Sequence, residues 1–385
     1  MGERLKVGMI GPGLDVPGGM TAVHRTWLRS RAFERVDVRY FETMGEGTVA
    51  EKIGKNILGQ SRFIRDLVGG YRPDVFHIHV ADRRSFYRKL AYFEQARLTG
   101  VPVVVHIHGA VFEEFTNANS TNAAAVRRMF STAALVLVLH KAIYAKSIVW
   151  SGTESNVEIL YNPVEIDAFD PPPPRDPTAP LTVLMMGEVG ERKGAFDLVE
   201  AIPVVRERVP TARFRFAGNG ETERLQARVD ALGLTECVDV MGWTAGEAKI
   251  QAFQTSDVYC LPSYAENLPV SVLEAMAARL PVVGTPVAGT PEEIIEGETG
   301  FMVDPGDRGA IADRLIQLLL DPELRLRMGT AGRSRVEAHF ENEVVCTRLI
   351  RLWERAIAGK GEESAANFRP SGYSEGVRND ESGHE

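Results

Sequence analysis

Twelve short runs of β-branched and aliphatic residues, spaced by stretches of helical pattern, restrict what this chain can become more than any other feature. LKVGMIG, VDVRYFE, DVFHIHV, PVVVHIHG, ALVLVLH and VEILYN lie in the first half, and LTVLMMG, RFRFAG, CVDVMG, DVYCLP, PVVGT and FMVDP in the second. A strand that is apolar at nearly every position has no solvent face, and the helical stretches between such strands supply crossovers, so both sets predict parallel sheets covered on both faces. Between them, NPVEIDAFDPPPPRDPTAP is too rich in proline for a helix and reads as an extended, semi-rigid connector. The expectation is an α/β chain of two doubly wound, Rossmann-like domains facing a cleft, residues 1–175 and 176–360, with a polar, aperiodic tail at 361–385 expected to be disordered.

At 385 residues the chain exceeds the size at which a single core stops growing, which also favours two domains. No run approaches the roughly 20 apolar residues that span a bilayer, and MGERLKVGMIGPG enters a strand without a signal-peptide pattern. A cytoplasmic location is therefore expected. Cys237, Cys260 and Cys346 show no metal or disulfide spacing, which fits a reducing compartment. The net charge of -8 argues against a nucleic-acid partner, yet it is unevenly spread: residues 1–170 carry 21 Lys+Arg against 18 Asp+Glu, leaving 23 against 34 for the rest.

In doubly wound sheets ligands sit beyond the carboxyl ends of the strands, so the loops after strands carry the functional signal. After the first strand comes GPGLDVPGGM, with Gly11, Gly13, Gly18 and Gly19. A dinucleotide fingerprint requires G-x-G-x-x-G, whereas Val16 stands at its third glycine. What survives is a glycine loop whose N–H groups can approach a ligand at a helix N-terminus near Met20, or a tight turn with nothing bound. Two H-x-H pairs follow, His77 with His79 and His106 with His108. Period-two spacing puts each pair on one face, where they could gather as a metal site or lie buried as core histidines. His108, beside Gly109 at a strand's end, is the best placed for a cleft role.

The second half is more specific. GEVGERKGAFDLVEA places Arg192 and Lys193 in the loop after its first strand, where a forked guanidinium and a compact ammonium suit a pyrophosphate. In SYAENLPVSVLEAMA, Pro269 suits the first turn of a helix whose free N–H groups face the cleft. Glu266 precedes that helix and Glu274 lies eight positions on, inside an apolar pattern. A sugar, a pyrophosphate and a ribose would occupy these places together, which describes a nucleotide sugar.

EVGERKGAFDLVEA, AGNGET, LPSYAENLPVSVLEAMAARLPVVGTPVAGTPEEI and GETGFMVDPGD resemble the C-terminal half of the retaining glycosyltransferases of GT-B fold, family 4. The likeness runs nearly end to end, from VGMIGPG to VVCTRLIRLWERAIAG, a helix that by family likeness crosses back to the first domain; the tail lies outside it. The resemblance implies that Glu266 binds donor-sugar hydroxyls, with the N–H groups of Asn267 and Leu268 nearby, and that Glu274 holds the ribose. It implies that Arg192 and Lys193 neutralise the departing diphosphate, that Gly18 and Gly19 close on phosphate or acceptor, and that His108 lies near the anomeric carbon. The glycine loop is longer than the family's and contains proline, and acceptor-binding segments vary freely, so the acceptor is left open.

The expected partners are a nucleoside-diphosphate sugar as co-substrate and a glycan or lipid-linked acceptor, with no cofactor. No metal is expected, because the diphosphate contacts are donors or cations and no D-x-D pair follows any strand. A nucleotide-sugar-binding protein without turnover and a sugar-nucleotide epimerase of related fold are the alternatives. Arg62, Arg65, Arg83, Arg84, Arg88 and Lys89, beside aromatic and aliphatic residues, suggest either peripheral contact with the inner face of an anionic membrane or an ordinary solvated helix face.

Overall fold

The computed structural model describes residues 4–16, 18–170 and 178–359. Twelve strands form two six-stranded parallel sheets. The first contains β1 (Leu5–Gly11), β2 (Val36–Glu42), β3 (Val75–Val80), β4 (Val103–Ile107), β5 (Leu135–Val138) and β6 (Val157–Ile159), in the order β2-β1-β3-β4-β5-β6. The second contains β7 (Thr182–Met186), β8 (Arg213–Ala217), β9 (Val238–Gly242), β10 (Val258–Leu261), β11 (Val282–Gly284) and β12 (Gly300–Met302), in the order β9-β8-β7-β10-β11-β12. Each apolar run of the sequence is a strand, and β3, β4, β5, β7, β10 and β11 are buried at every residue.

Strand order reverses at β1/β3 in one sheet and at β7/β10 in the other. At such a reversal the two loops leaving the strands diverge to opposite faces and open a crevice. The loops after β1, β7 and β10 are those with the glycines, the Arg192–Lys193 pair and Glu266.

The helix Asn342–Ala358 carries Val345, Cys346, Leu349, Ile350 and Trp353 on one stripe, and these pack with Val7, Met9, Val75 and Val104 of the first sheet. Asn342 donates to the Thr26 carbonyl at 2.6 Å, which fixes where this helix starts. The proposed boundary near residue 175 and the tail expected at 361–385 both fall outside the described residues. Among the described residues no helix is long and apolar enough to cross a membrane.

Candidate functional site

The loop after β7 tightens into a 3-10 turn, Glu191–Lys193, which ends at Gly194 with φ 69°. A Cβ there would run into the carbonyl oxygen of Pro262, so only glycine lets this loop lie against the one after β10. Arg192 stitches the two together: its guanidinium donates to the Ala265 carbonyl at 3.1 Å, and its own carbonyl accepts from Tyr264 N–H at 2.8 Å. Arg192 also pairs with Glu188 at 2.8 Å and remains partly exposed. Lys193 turns inward and pairs with Glu266 at 2.5 Å, both side chains largely buried, while the Ser263 hydroxyl donates to the same Glu266 oxygen at 2.7 Å. A buried carboxylate is thereby matched by one cation and one hydroxyl, as burial of charge requires.

Pro269 occupies the N-cap of the helix Val270–Ala277. The N–H groups of Asn267 and Leu268 make no hydrogen bond among the described residues, so they and the helix N-terminus form a ready anion site. Glu274, on the second turn, is buried and ion-paired with Lys249 of the helix Gly246–Gln254. Burial raises its pKa from the ordinary carboxylate value, and Lys249 opposes that rise. The Tyr264 hydroxyl and Arg308 Nε both donate to Asp197, at 2.8 Å each, bracing the loop from behind.

Across the cleft, no such buried charge pair lines the first sheet among the described residues. Gly18 and Gly19 begin the helix Gly19–Trp27, and a Cβ at either would meet nothing within 4 Å, which leaves that helix end open. A cavity of about 350 Å³ is lined by Val16, Met44, Gly47 and Lys52 from the first half and by Asn219 from the second. Asn267 donates to the Gly109 carbonyl at 3.2 Å, bringing the loop of Glu266 beside the loop of His108.

The H-x-H pairs lie together on one face of the first sheet. His79 is in register with His106, and His79 Nδ1 is hydrogen-bonded to His108 Nε2 at 2.9 Å. Burial pushes the imidazole pKa of His77 and His108 down to about 3, helped at His77 by His108 and at His108 by the Lys89 cation. His24, which donates to Tyr40, is lowered well below its usual value by burial and by neighbouring histidines. Ring nitrogens of His77, His79 and His106 lie within 4.8 Å of one another. The Trp353 indole donates to His77 Nδ1 at 2.9 Å, so neutral His77 carries its proton on Nε2 and has no lone pair left for an ion. The cluster is a neutral core feature with His108 as its cleft-side member.

Lys89 is a correction to the sequence reading. It is 1% exposed and cannot belong to a membrane-facing surface; Arg62, Arg65, Arg83 and Arg84 are exposed and Arg88 is half-buried. The sequence reading also missed Lys249, whose partner Glu274 lies 25 positions away, Ser263, which donates to Glu266 three positions on, and Glu293, buried without a hydrogen-bond partner among the described residues.

Two family profiles match in tandem: Glycosyl transferase 4-like domain over residues 12–163 and Glycosyl transferases group 1 over residues 168–335. A phosphatidyl-myo-inositol mannosyltransferase of Mycobacterium leprae is 33% identical over 52% of this chain and 54% of its own length. The sulfoquinovosyl transferase SQD2 of Arabidopsis thaliana is 27% identical over 78% of this chain and 66% of its own. The chain thus matches between about half and two thirds of the length of these curated relatives. Among solved structures, Anabaena HepE in complex with UDP and glucose superposes with a TM-score of 0.72 at 17% identity, covering 91% of this chain and 100% of that one. Sucrose-phosphate synthase from Thermosynechococcus elongatus gives 0.75 at 18% identity, covering 93% and 100%. At such identities these two likenesses speak for the fold.

Proposed function

Because the chain belongs to the group 1 glycosyltransferases, with the two Rossmann-like domains of the GT-B fold, we propose that it transfers a hexosyl unit from a nucleoside-diphosphate sugar to a glycan or lipid-linked acceptor. Transfer proceeds with retention of anomeric configuration, and the product belongs to surface polysaccharide or glycolipid assembly. The observation that carries this reading is the buried Lys193–Glu266 pair at the β7/β10 reversal, beside a helix N-terminus with free N–H groups. Relatives named for phosphatidyl-myo-inositol mannosyl transfer and for capsular polysaccharide biosynthesis support the choice of acceptor class.

In this reading the diphosphate lies against Arg192, Lys193 and the N–H groups of Asn267 and Leu268. Glu266 accepts hydrogen bonds from donor-sugar hydroxyls and Glu274 from the ribose. As the bond from sugar to phosphate breaks, positive charge grows at the anomeric carbon and negative charge on the diphosphate. Fixed cations and N–H dipoles stabilise that separation more than they stabilise the bound donor, which is what lowers the barrier. His108, neutral near pH 7, serves as a hydrogen-bonding group beside the anomeric carbon and adds no competing positive charge there. A diphosphate oxygen accepts the acceptor's proton on the same face, so the reaction needs no protein nucleophile. The proposed diphosphate contacts are cations and N–H donors, and Glu266 and Glu274 are each paired with a lysine, so transfer is proposed to be metal-independent.

The test is a thermal-shift panel of UDP-, GDP- and ADP-linked hexoses, followed by transfer assays with the stabilising donor in excess EDTA. Stabilisation rises with the logarithm of ligand over dissociation constant, so one donor should stand out. Loss of activity on chelation with recovery on manganese would sink metal independence, and a product of inverted configuration would sink retention.

A further inference from the structure

Glu293 is the most deeply placed acid of the molecule's second half that the proposed chemistry leaves unused. It ends the short helix Thr290–Glu293 after β11, is 0% exposed, and neither of its carboxyl oxygens has a hydrogen-bond partner among the described residues. Its segment is fastened to the donor loop: Gly289 N–H donates to the Asn267 carbonyl at 2.8 Å, and the Thr285 hydroxyl to the Ser263 carbonyl at 2.6 Å. Glu293 consequently sits within electrostatic reach of Glu266 and Lys193.

The other charges around it are spoken for. Arg335 spends its guanidinium on the backbone carbonyls of Glu293 and Glu292, at 3.0 and 2.5 Å. Glu292 accepts from the backbone N–H of Lys141 and from the Tyr161 hydroxyl. Lys193 is paired with Glu266. A buried ionised carboxylate without a single protein donor is far more unfavourable than a neutral carboxyl group with the same lack of partners. Burial, then the repulsion of Glu266, accordingly raises this acid well above the ordinary carboxylate range.

We propose that Glu293 is an uncharged carboxylic acid beneath the Lys193–Glu266 pair, and that its proton keeps the pocket receptive to a nucleoside diphosphate. With the proton in place the pocket holds one carboxylate for one lysine. Without it two carboxylates would share that lysine and repel the incoming anion, while Glu266 would lose part of its claim on Lys193. Glu293 touches no substrate; it is a positioning residue that sets the charge of the donor site. A bound diphosphate in turn holds the proton on Glu293 more tightly, so at alkaline pH donor binding takes up a proton. The inference rests on reading this pocket as the nucleoside-diphosphate site.

The test compares the full chain with its Glu293→Gln variant, Gln standing for the neutral acid, using UDP and GDP as probes. Above the range in which the probe's own phosphate titrates, wild-type affinity should fall with rising pH, by no more than about tenfold per unit for one linked proton, and that of the variant by less than about twofold. Calorimetry of the wild type in two buffers of different ionisation heat should show proton uptake on binding. Without ligand, the melting temperature of Glu293→Gln should vary less with pH than that of the wild type from about pH 5 upward. Parallel affinity profiles and no proton uptake would overturn the gating, and parallel melting profiles would overturn the neutral acid. If neither of these probes nor ADP binds the wild type at any pH, the donor-site reading itself falls, and the ligand-free melts still decide the state of Glu293.

Discussion

The two sheets face the cleft with opposite chemistry. The second presents buried ion pairs, Lys193 with Glu266 and Lys249 with Glu274, and an acid without a partner, Glu293. The first presents neutral imidazoles, open glycines and backbone carbonyls. A diphosphate demands fixed charge, whereas an acceptor is selected by shape and hydroxyl pattern. On the proposed reading, that difference is why residue types alone point to a donor and say little of the acceptor. It also makes the halves titrate in opposite directions: histidines held below their usual pKa lose their contribution as pH falls below about 6.5, and carboxyl groups held above theirs lose it as pH rises above about 4.5.

The strongest way to break this comparison is to remove charge from the second half. Lys193→Ala leaves Glu266 buried without its cation, which should destabilise the fold by about 3 to 5 kcal/mol. Glu266→Ala should lower transfer by about two orders of magnitude, roughly 3 kcal/mol, while leaving the free nucleotide bound. Arg192→Ala should act less severely than Lys193→Ala, because Arg192 is partly exposed and shared with Glu188. Denaturant melts and steady-state transfer rates check all three. If a charge-removed variant turns over normally, the charged half is not the donor half.

Acid should break the other half. His77 has a folded pKa of about 3 and an unfolded value near 6.5, so its contribution is present in full above about pH 6.5 and is lost as pH falls towards 3. From pH 6.5 to 5 that loss amounts to about 2 kcal/mol for one such histidine. Hydrogen exchange at about pH 5 should therefore open β3 and β4 of the first sheet before β7 and β10 of the second. His77→Gln, whose side-chain carbonyl can still accept from Trp353, should reduce the acid slope of the melting temperature by close to one proton. Uniform exchange across both sheets, or an unchanged slope, would remove the contrast.

How much of this was legible beforehand follows the range of the forces involved. The strands were readable because burial on both faces writes itself locally, as continuous apolar runs such as VFHIHV and VYCL. Glu266, Lys193 and Arg192 could be singled out as candidates because loops after strands mark the crevice, and the structure brings all three into the same two adjoining loops. Glu274 was suspected because a carboxylate is out of place in so apolar a helix, but Lys249, which neutralises it, lies 25 positions away with no spacing to announce it. Glu293 is one of two adjacent acids that end a four-residue helix, with no local pattern to mark it, yet it is fully buried. Lys89 misled in the reverse sense, a lysine within a basic run that points into the fold.

The smallest expected effect sharpens the acceptor side. The helix Val49–Val68 rests lightly on the first sheet: among its described side chains only Phe63 is fully buried, while Ile57 is 61% and Val68 84% exposed. Ile53, Ile57, Ile64 and Val68 recur at helical spacing on one face, and Lys52, Lys55, Arg62 and Arg65 accompany them. An amphipathic surface of this kind suits the interface of an anionic bilayer carrying a lipid-linked acceptor, each basic residue near the surface adding about 1 kcal/mol at physiological salt. Flotation with vesicles containing anionic lipid should recover the protein at low salt and lose it at high salt. Arg62→Glu should weaken binding by about fivefold or more per charge removed, and Ile57→Glu at least as much, whereas Lys89→Ala, buried away from this face, should leave vesicle binding of the folded protein unchanged. Transfer to a water-soluble acceptor should be indifferent to all these surface changes, because the helix would concentrate substrate at the membrane and take no part in the chemistry. Failure to float at low salt would mean that the exposed face is an ordinary solvated one and that the first half meets its acceptor from solution.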